Sequence, residues 1–245
     1  MTRRLLYISM LGEPKLYDPA VFTSLCVSGL ERDWIVDWHG DAASAQGFDL
    51  SAVDICRGEA LPEPDSVHAV ILGGTLHSVA EDRAWIDDLS RWLLRYRAGG
   101  QSLLAICGGH QLIASRLEDG ELASRADGPL MGTYDVDLAP RARAHGLFRG
   151  LSAAPRFHFG NSEFVQPSTG QTVRALATQA THPLVALEHG GGWYSCQFHP
   201  ESRKSEFDCY FGNLDPNYES PYAEQHDGAK FMENFFAISA AALSG

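Results

Sequence analysis

The chain has 245 residues, of which 44% are apolar, and a formal net charge of −12. That length suits one large α/β domain with a sizeable core, and the acidity argues against a nucleic-acid surface, where clustered Lys and Arg must neutralise phosphates. No apolar run reaches the roughly 18 residues of a membrane span, and Met1-Thr2-Arg3-Arg4 leads into only a short apolar strand without a cleavage-like site. The expectation is a cytoplasmic protein. Its five cysteines (Cys26, Cys56, Cys107, Cys196 and Cys209) are odd in number and scattered, with no C-x-x-C pair, which points to free thiols and away from structural zinc.

In chain order, Leu5 to Ser9 is predicted as a first strand, Pro19 to Leu30 as a helix, Ile35 to Trp38 as a second strand and Val67 to Leu72 as a third. Trp85, Leu89, Trp92, Leu93 and Tyr96 recur at helical spacing as a core-facing stripe, and Gly99-Gly100 stops that helix. Ser102 to Ile106 is a buried strand that runs into a helix beginning near Gln111. This is βαβ order, so we expect an open, mainly parallel sheet with helices on both faces and a site at the carboxyl ends of its strands. From Tyr134 the strands shorten: Tyr134 to Leu138, Val173 to Ala177, Leu184 to Glu188 and Trp193 to Phe198, some of them antiparallel. Gly190-Gly191-Gly192 reads as a hairpin turn between the last two. A helix starting near Gly228 closes the chain, with Phe231, Phe235 and Ile238 as its buried stripe.

Cys107 falls in the turn between the Ser102 to Ile106 strand and the following helix. A nucleophile on such an elbow takes a strained backbone conformation, so positions two before and two after it must be small; here they are Ala105 and Gly109. Unpaired amide N–H groups and the helix dipole then favour the thiolate, and the N–H of Gly108 is placed to hold an oxyanion. Late in the chain, His199-Pro200-Glu201 follows a strand. Residues two apart on an extended chain share a side, so His199 and Glu201 can act as base and orienting acid.

The sequence AICGGHQ, followed late in the chain by CQFHPE, resembles the class I glutamine amidotransferases, which carry a Cys-His-Glu triad and a G-x-C-x-G-H-Q elbow. A third piece is Ala69 to Thr75, a strand ending in Gly73-Gly74 where the family has a Gly-Gly-Pro loop. The resemblance covers roughly residues 65 to 201 and the last helix. It implies a flavodoxin-like fold and Cys107, His199 and Glu201 as catalytic residues, with oxyanion N–H groups from Gly74 and Gly108. Gln111 would hold the amino-acid end of glutamine, and no metal or cofactor is required. Some residues depart from the pattern. Ala105 stands where the family has its first elbow glycine, Thr75 and Leu76 stand where Pro and a small or polar residue are common, and Arg156 to Glu163 has no residue-for-residue match to the family's substrate loop.

The resemblance implies that Cys107 attacks the amide of glutamine or another γ-glutamyl compound, with release of glutamate and ammonia. The chain shows no synthase or ATP-grasp domain, so ammonia would pass to a separate synthase partner. A stand-alone γ-glutamyl hydrolase is the runner-up, and a catalytically silent binding subunit is the reading from another class. A thiol-dependent protein of the related DJ-1-like superfamily does not fit His199-Pro200-Glu201 on a late strand. Of the other residues, Cys26 and Cys196 are expected in the core, His110 in packing, and His39, His77, His158, His182, His189 and His226 in surface or loop roles, since none shows metal spacing. The chain is read as one domain, 1–245, with an insertion at 202–227. That segment is rich in aromatic and turn residues, and it is open between a lid or docking loop and a passive surface insertion.

Overall fold

Leu5, Leu6, Tyr7 and Ile8 are all fully buried, so the strand that holds them must be covered on both faces. In the structure, a computed structural model that describes residues 3–118, 120–168 and 174–244, this strand is β1 (Arg3–Ser9). Helix α1 (Glu31–Ser44), β2 (Phe48–Asp54), β3 (Ala69–Leu72), α2 (Ala84–Ala98) and β4 (Ser102–Ile106) follow, and Cys107 then leads into the short helix α3 (Gly108–Leu112). Next come β5 (Glu121–Ser124), β6 (Leu130–Asp135), β7 (Asp137–Leu138), β8 (Arg156–Asn161), β9 (Glu163–Gln166), β10 (Ala175–Gln179), β11 (His182–Gly190) and β12 (Trp193–Cys196). Helices α4 (Lys204–Leu214) and α5 (Gly228–Ala242) end the chain.

The main sheet has the order β2-β1-β3-β4-β12-β11-β10-β7. The pairings from β2 through β12 are parallel, and those from β12 to β7 are antiparallel. Alternation along each strand divides the core in two. Leu5, Tyr7, Ile71 and Ile106 face α1 and α5, whose Trp34, Ile35, Phe231 and Phe235 close that side. Leu6, Ile8, Val70 and Ala105 face α2 through Ile86, Leu89, Leu93 and Tyr96. Each of the Leu, Ile, Val and Phe side chains among them contributes about 1.5–3 kcal/mol on leaving water, so both faces are well anchored. The expected open sheet with helices on both sides is therefore present. Short two-stranded ribbons, β5 with β9 and β6 with β8, stand over the carboxyl end of the sheet.

Several predicted elements are corrected. Pro19 to Leu30 contains only a 3₁₀ turn at Pro19–Phe22, capped by Asp18 and broken further on by Ser28-Gly29. Ile35 to Trp38 is part of α1: Glu31, Trp34, Ile35, Trp38 and His39 recur at helical spacing, and a four-residue apolar run has no period of its own. Tyr134 to Leu138 divides at Val136, where β6 pairs with β8 and β7 passes to the main sheet beside β10. Residues 202–227 are not a plain loop, because α4 fills the first half. The strand expected from Val173 begins at Ala175; Val173 itself lies outside the described residues. The hairpin at Gly190-Gly191-Gly192 forms as read, and all three glycines have positive φ.

Candidate active site

Cys107 has φ 50° and ψ −106°, a conformation that L side chains rarely adopt, and it forms the sharp turn between β4 and α3. Its backbone is held from both sides: its N–H donates to the carbonyl of Cys196 at 2.7 Å, and its carbonyl accepts from Gln111 at 2.9 Å. Gly109 allows α3 to press against the end of β3. A Cβ there would stand 2.8 Å from the carbonyl oxygen of Leu72 and 3.0 Å from that of Gly73. The smallness expected at that position thus has a steric cause.

His199 follows β12 and is fixed by β8, because its N–H donates to the carbonyl of His158 at 2.8 Å. Its Nδ1 lies 2.8 Å from Oε1 of Glu201, and that carboxyl is 2% exposed. Burial opposes the charge on His199, but the negative charges of Cys107 and Glu201, both hydrogen-bonded to it, outweigh burial and hold its pKa well above the usual imidazole value. The carbonyl of Glu201 accepts from Nε2 of His39 at 2.8 Å. Burial lowers the pKa of His39, which keeps that neighbour neutral.

Gly74 sits against both reactive groups: a Cβ there would lie 3.1 Å from Cε1 of His199 and 3.5 Å from Cβ of Cys107. The N–H of Gly73 goes to Ile8 and that of Gly109 to Gly73, and Gly108, as the first residue of α3, has no intrahelical carbonyl for its own N–H. Gln111 donates from Nε2 to the carbonyl of Glu163 at 2.8 Å and to Oε1 of Gln197 at 3.2 Å. Nε2 of Gln197 in turn reaches Sγ of Cys107 at 3.5 Å. The structure therefore gathers all six predicted site residues at one place, the carboxyl ends of β3, β4 and β12.

Two hollows meet at Cys107. An open cleft of about 520 Å3 is lined by Gln111, Asn161, Ser162 and Glu163 among others. A smaller cavity of about 90 Å3 is lined by His199, Phe22, Glu31, Trp34, Glu206 and Phe207 among others. Tyr210 and Phe211 of α4 line both, and the ring of Phe207 meets that of His199 edge-on at 5.4 Å. Arg156 to Glu163, which has no residue-for-residue match to the family's substrate loop, contributes β8 and the polar rim Asn161 to Glu163.

Sequence reasoning missed Gln197, Glu31 and Glu206 at this site. Gln197 stands inside the CQFHPE motif, where the pattern reads only as strand, and nothing in the sequence marks the other two as part of the site. The histidines expected at the surface differ as well. His39, His77, His158 and His182 are at most 8% exposed. His110 is buried as expected, with Nδ1 2.7 Å from Oγ of Ser195, and burial pulls its pKa down to about 3. Ser195 also meets His189, which pairs with Glu118.

The chain is similar to known proteins in sequence and in fold. The family model "Glutamine amidotransferase class-I" matches residues 51–213. The chain is 33% identical over 144 residues to a cobyric acid synthase of Synechococcus sp. (strain RCC307), an alignment that covers 57% of this chain and 28% of that protein. It is 33% identical over 125 residues to imidazole glycerol phosphate synthase subunit HisH of Thermobifida fusca (strain YX), covering 42% of this chain and 58% of the relative. The match thus spans less than two thirds of either relative. Among solved structures, a glutamine amidotransferase from Thermotoga maritima superposes with a TM-score of 0.70 at 15% identity, over 98% of this chain and 99% of that one, a likeness of fold. The matched span runs from within β2 to within α4 and holds all six predicted site residues, so the chain belongs to the class-I glutamine amidotransferase family.

Proposed function

We propose that this protein hydrolyses the side-chain amide of glutamine through a thioester on Cys107. The observation that carries the reading is the positive-φ elbow at Cys107, with Gly74 wedged between it and the His199–Glu201 pair. In this reading the substrate's amino-acid end lies in the cleft beside Gln111. Sγ of Cys107 attacks the amide carbon, and the N–H groups of Gly74 and Gly108 take the charge that develops on the carbonyl oxygen. His199 gives a proton to the departing nitrogen, then takes one from the water that cleaves the thioester. Glu201 fixes the imidazole and stabilises its cation. The products are glutamate and ammonia. HisH is by its name a synthase subunit, and the same arrangement here would pass ammonia to a separate synthase. The 245 residues act as one domain, and α4 closes over the site from its rim.

Cys107→Ala tests this. Loss of the nucleophile should lower glutamine hydrolysis by about three orders of magnitude or more while the circular dichroism of the fold is retained. Ammonia release at the wild-type rate from that variant would remove Cys107 from the mechanism. A diazo-ketone analogue of glutamine should also alkylate Cys107 ahead of Cys26, Cys56, Cys196 and Cys209; peptide mapping that finds another cysteine modified first would displace the pocket.

A further inference from the structure

The two hollows at Cys107 differ in chemistry, and His199 lines the smaller one. A carbonyl attacked by Sγ, with its oxygen toward Gly74 and Gly108, sends its leaving group toward the acid that protonates it. In that geometry the leaving group faces the cavity of about 90 Å3 that His199 lines. Ammonia needs no shaped walls, yet this cavity has them: Phe22, Trp34 and Phe207 supply aromatic sides, and Glu31 and Glu206 supply carboxyls. Glu31 is only 5% exposed. It accepts from the Ser9 hydroxyl at 2.6 Å, and among the described residues neither carboxyl has a lysine or arginine side chain as ion-pair partner.

We propose that this cavity is an amine subsite, which takes the amine portion of N-substituted γ-glutamyl amides when that amine carries a second, cationic group. The stem of the amine lies between the aromatic rings and its ammonium meets Glu31 and Glu206. Burial raises the pKa of both carboxyls to about 8, which favours their neutral forms below that pH. An entering ammonium displaces the proton and adds a countercharge to that of His199. The proposal rests on Cys107 as the nucleophile. The C–N bond of the amide breaks as the S–C bond forms, the His199 proton goes to nitrogen, and water later releases glutamate. By microscopic reversibility, the same amine in neutral form can attack the thioester. A new C–N bond then forms, the S–C bond breaks, and His199 takes the proton.

The test uses the intact protein with glutamine, the γ-glutamyl amide of 1,3-diaminopropane and the γ-glutamyl amide of n-butylamine, a neutral chain of the same length. The cationic amide should exceed the neutral one in kcat/KM by about tenfold or more, the scale of a buried charge pair. Glu31→Gln, which keeps an acceptor for Ser9, should reduce that ratio to near one. A second measurement needs no variant: 1,3-diaminopropane added during glutamine turnover should divert acyl groups into its γ-glutamyl amide, and n-butylamine should not. Glutamine turnover with equal rates for the two amides and no such diversion overturns the amine subsite alone. If neither glutamine nor either amide reacts, and the diazo-ketone analogue leaves Cys107 unlabelled, the nucleophile reading fails and the subsite with it.

Discussion

Glu31 is buried and His199 partly so, and their raised pKa values act on stability through opposite charges. The carboxyl of Glu31 titrates near 4.5 when free and near 8 in the fold. Between those values the native state keeps a proton that the unfolded chain has released, so stability falls as pH rises from about 4.5 to about 8 and levels off above. One pH unit corresponds to about 1.4 kcal/mol, which makes the full contribution a few kcal/mol at the order-of-magnitude level. Glu31→Gln should flatten the decline of Tm across that range, followed by thermal denaturation at stepped pH; an equally steep decline would count against the burial argument. For His199 the stabilising form is the cation. Its contribution is fully present below about 6.5 and is lost as pH rises through its higher folded value. Glu201→Gln removes one of the two charges that hold the imidazole protonated, so the titration midpoint of the ring protons in NMR should fall. An unmoved midpoint would assign the whole effect to Cys107. Cys107, His199 and Glu201 were legible in the sequence because each stands in a short motif whose local geometry defines its role. Glu31 was not, since a single glutamate at the start of a helix carries no sign that the fold will bury it.

At the scale of elements, α4 is where the family match ends, at residue 213. Its Phe207 stacks on Tyr222 at 4.2 Å, Tyr222 donates to the carbonyl of Phe159 at 2.8 Å, and Tyr210 stacks on Phe22. The helix is thus seated by aromatic contacts on both flanks of the site. Replacing Asn213 to Gln225 with a Gly/Ser linker removes Tyr222 and loosens one flank. Reaction of Cys107 with a small thiol reagent should persist while KM for glutamine rises and turnover drops. Unchanged kinetics together with unchanged partner binding would make the segment a passive insertion. The elements that could be read in advance were those whose period spans several turns or whose ends are marked: α2 by its apolar stripe, β4 by its continuous apolar run, and the β11–β12 hairpin by its three glycines. Helix α1 escaped because its buried face mixes Trp34 and Ile35 with Glu31 and His39, so polarity masked the helical period. Strand β2 carries only Phe48, Leu50 and Asp54 as buried residues, too sparse a signal to stand out.

Across the whole molecule, the reactive groups come from β3, β4 and β12, three neighbouring strands near the centre of the eight-stranded sheet. They are far apart in sequence, and the pairing of these strands brings them together. Thermal loss of the sheet, followed by circular dichroism, and loss of selective labelling at Cys107 should therefore coincide in one transition. Labelling that is lost well before the sheet would mean that the site opens as a separate unit. The elbow at Cys107 adds a debt that the rest of the fold carries. A side chain held at φ 50° and ψ −106° costs on the order of 1–3 kcal/mol, and glycine alone would escape most of it. Cys107→Gly should accordingly melt above Cys107→Ala, although both lack the thiol and glycine normally weakens a fold. In this chain the capacity to react and the capacity to stay folded compete at a single backbone position, and selection for thermal endurance alone would be expected to discard the cysteine first.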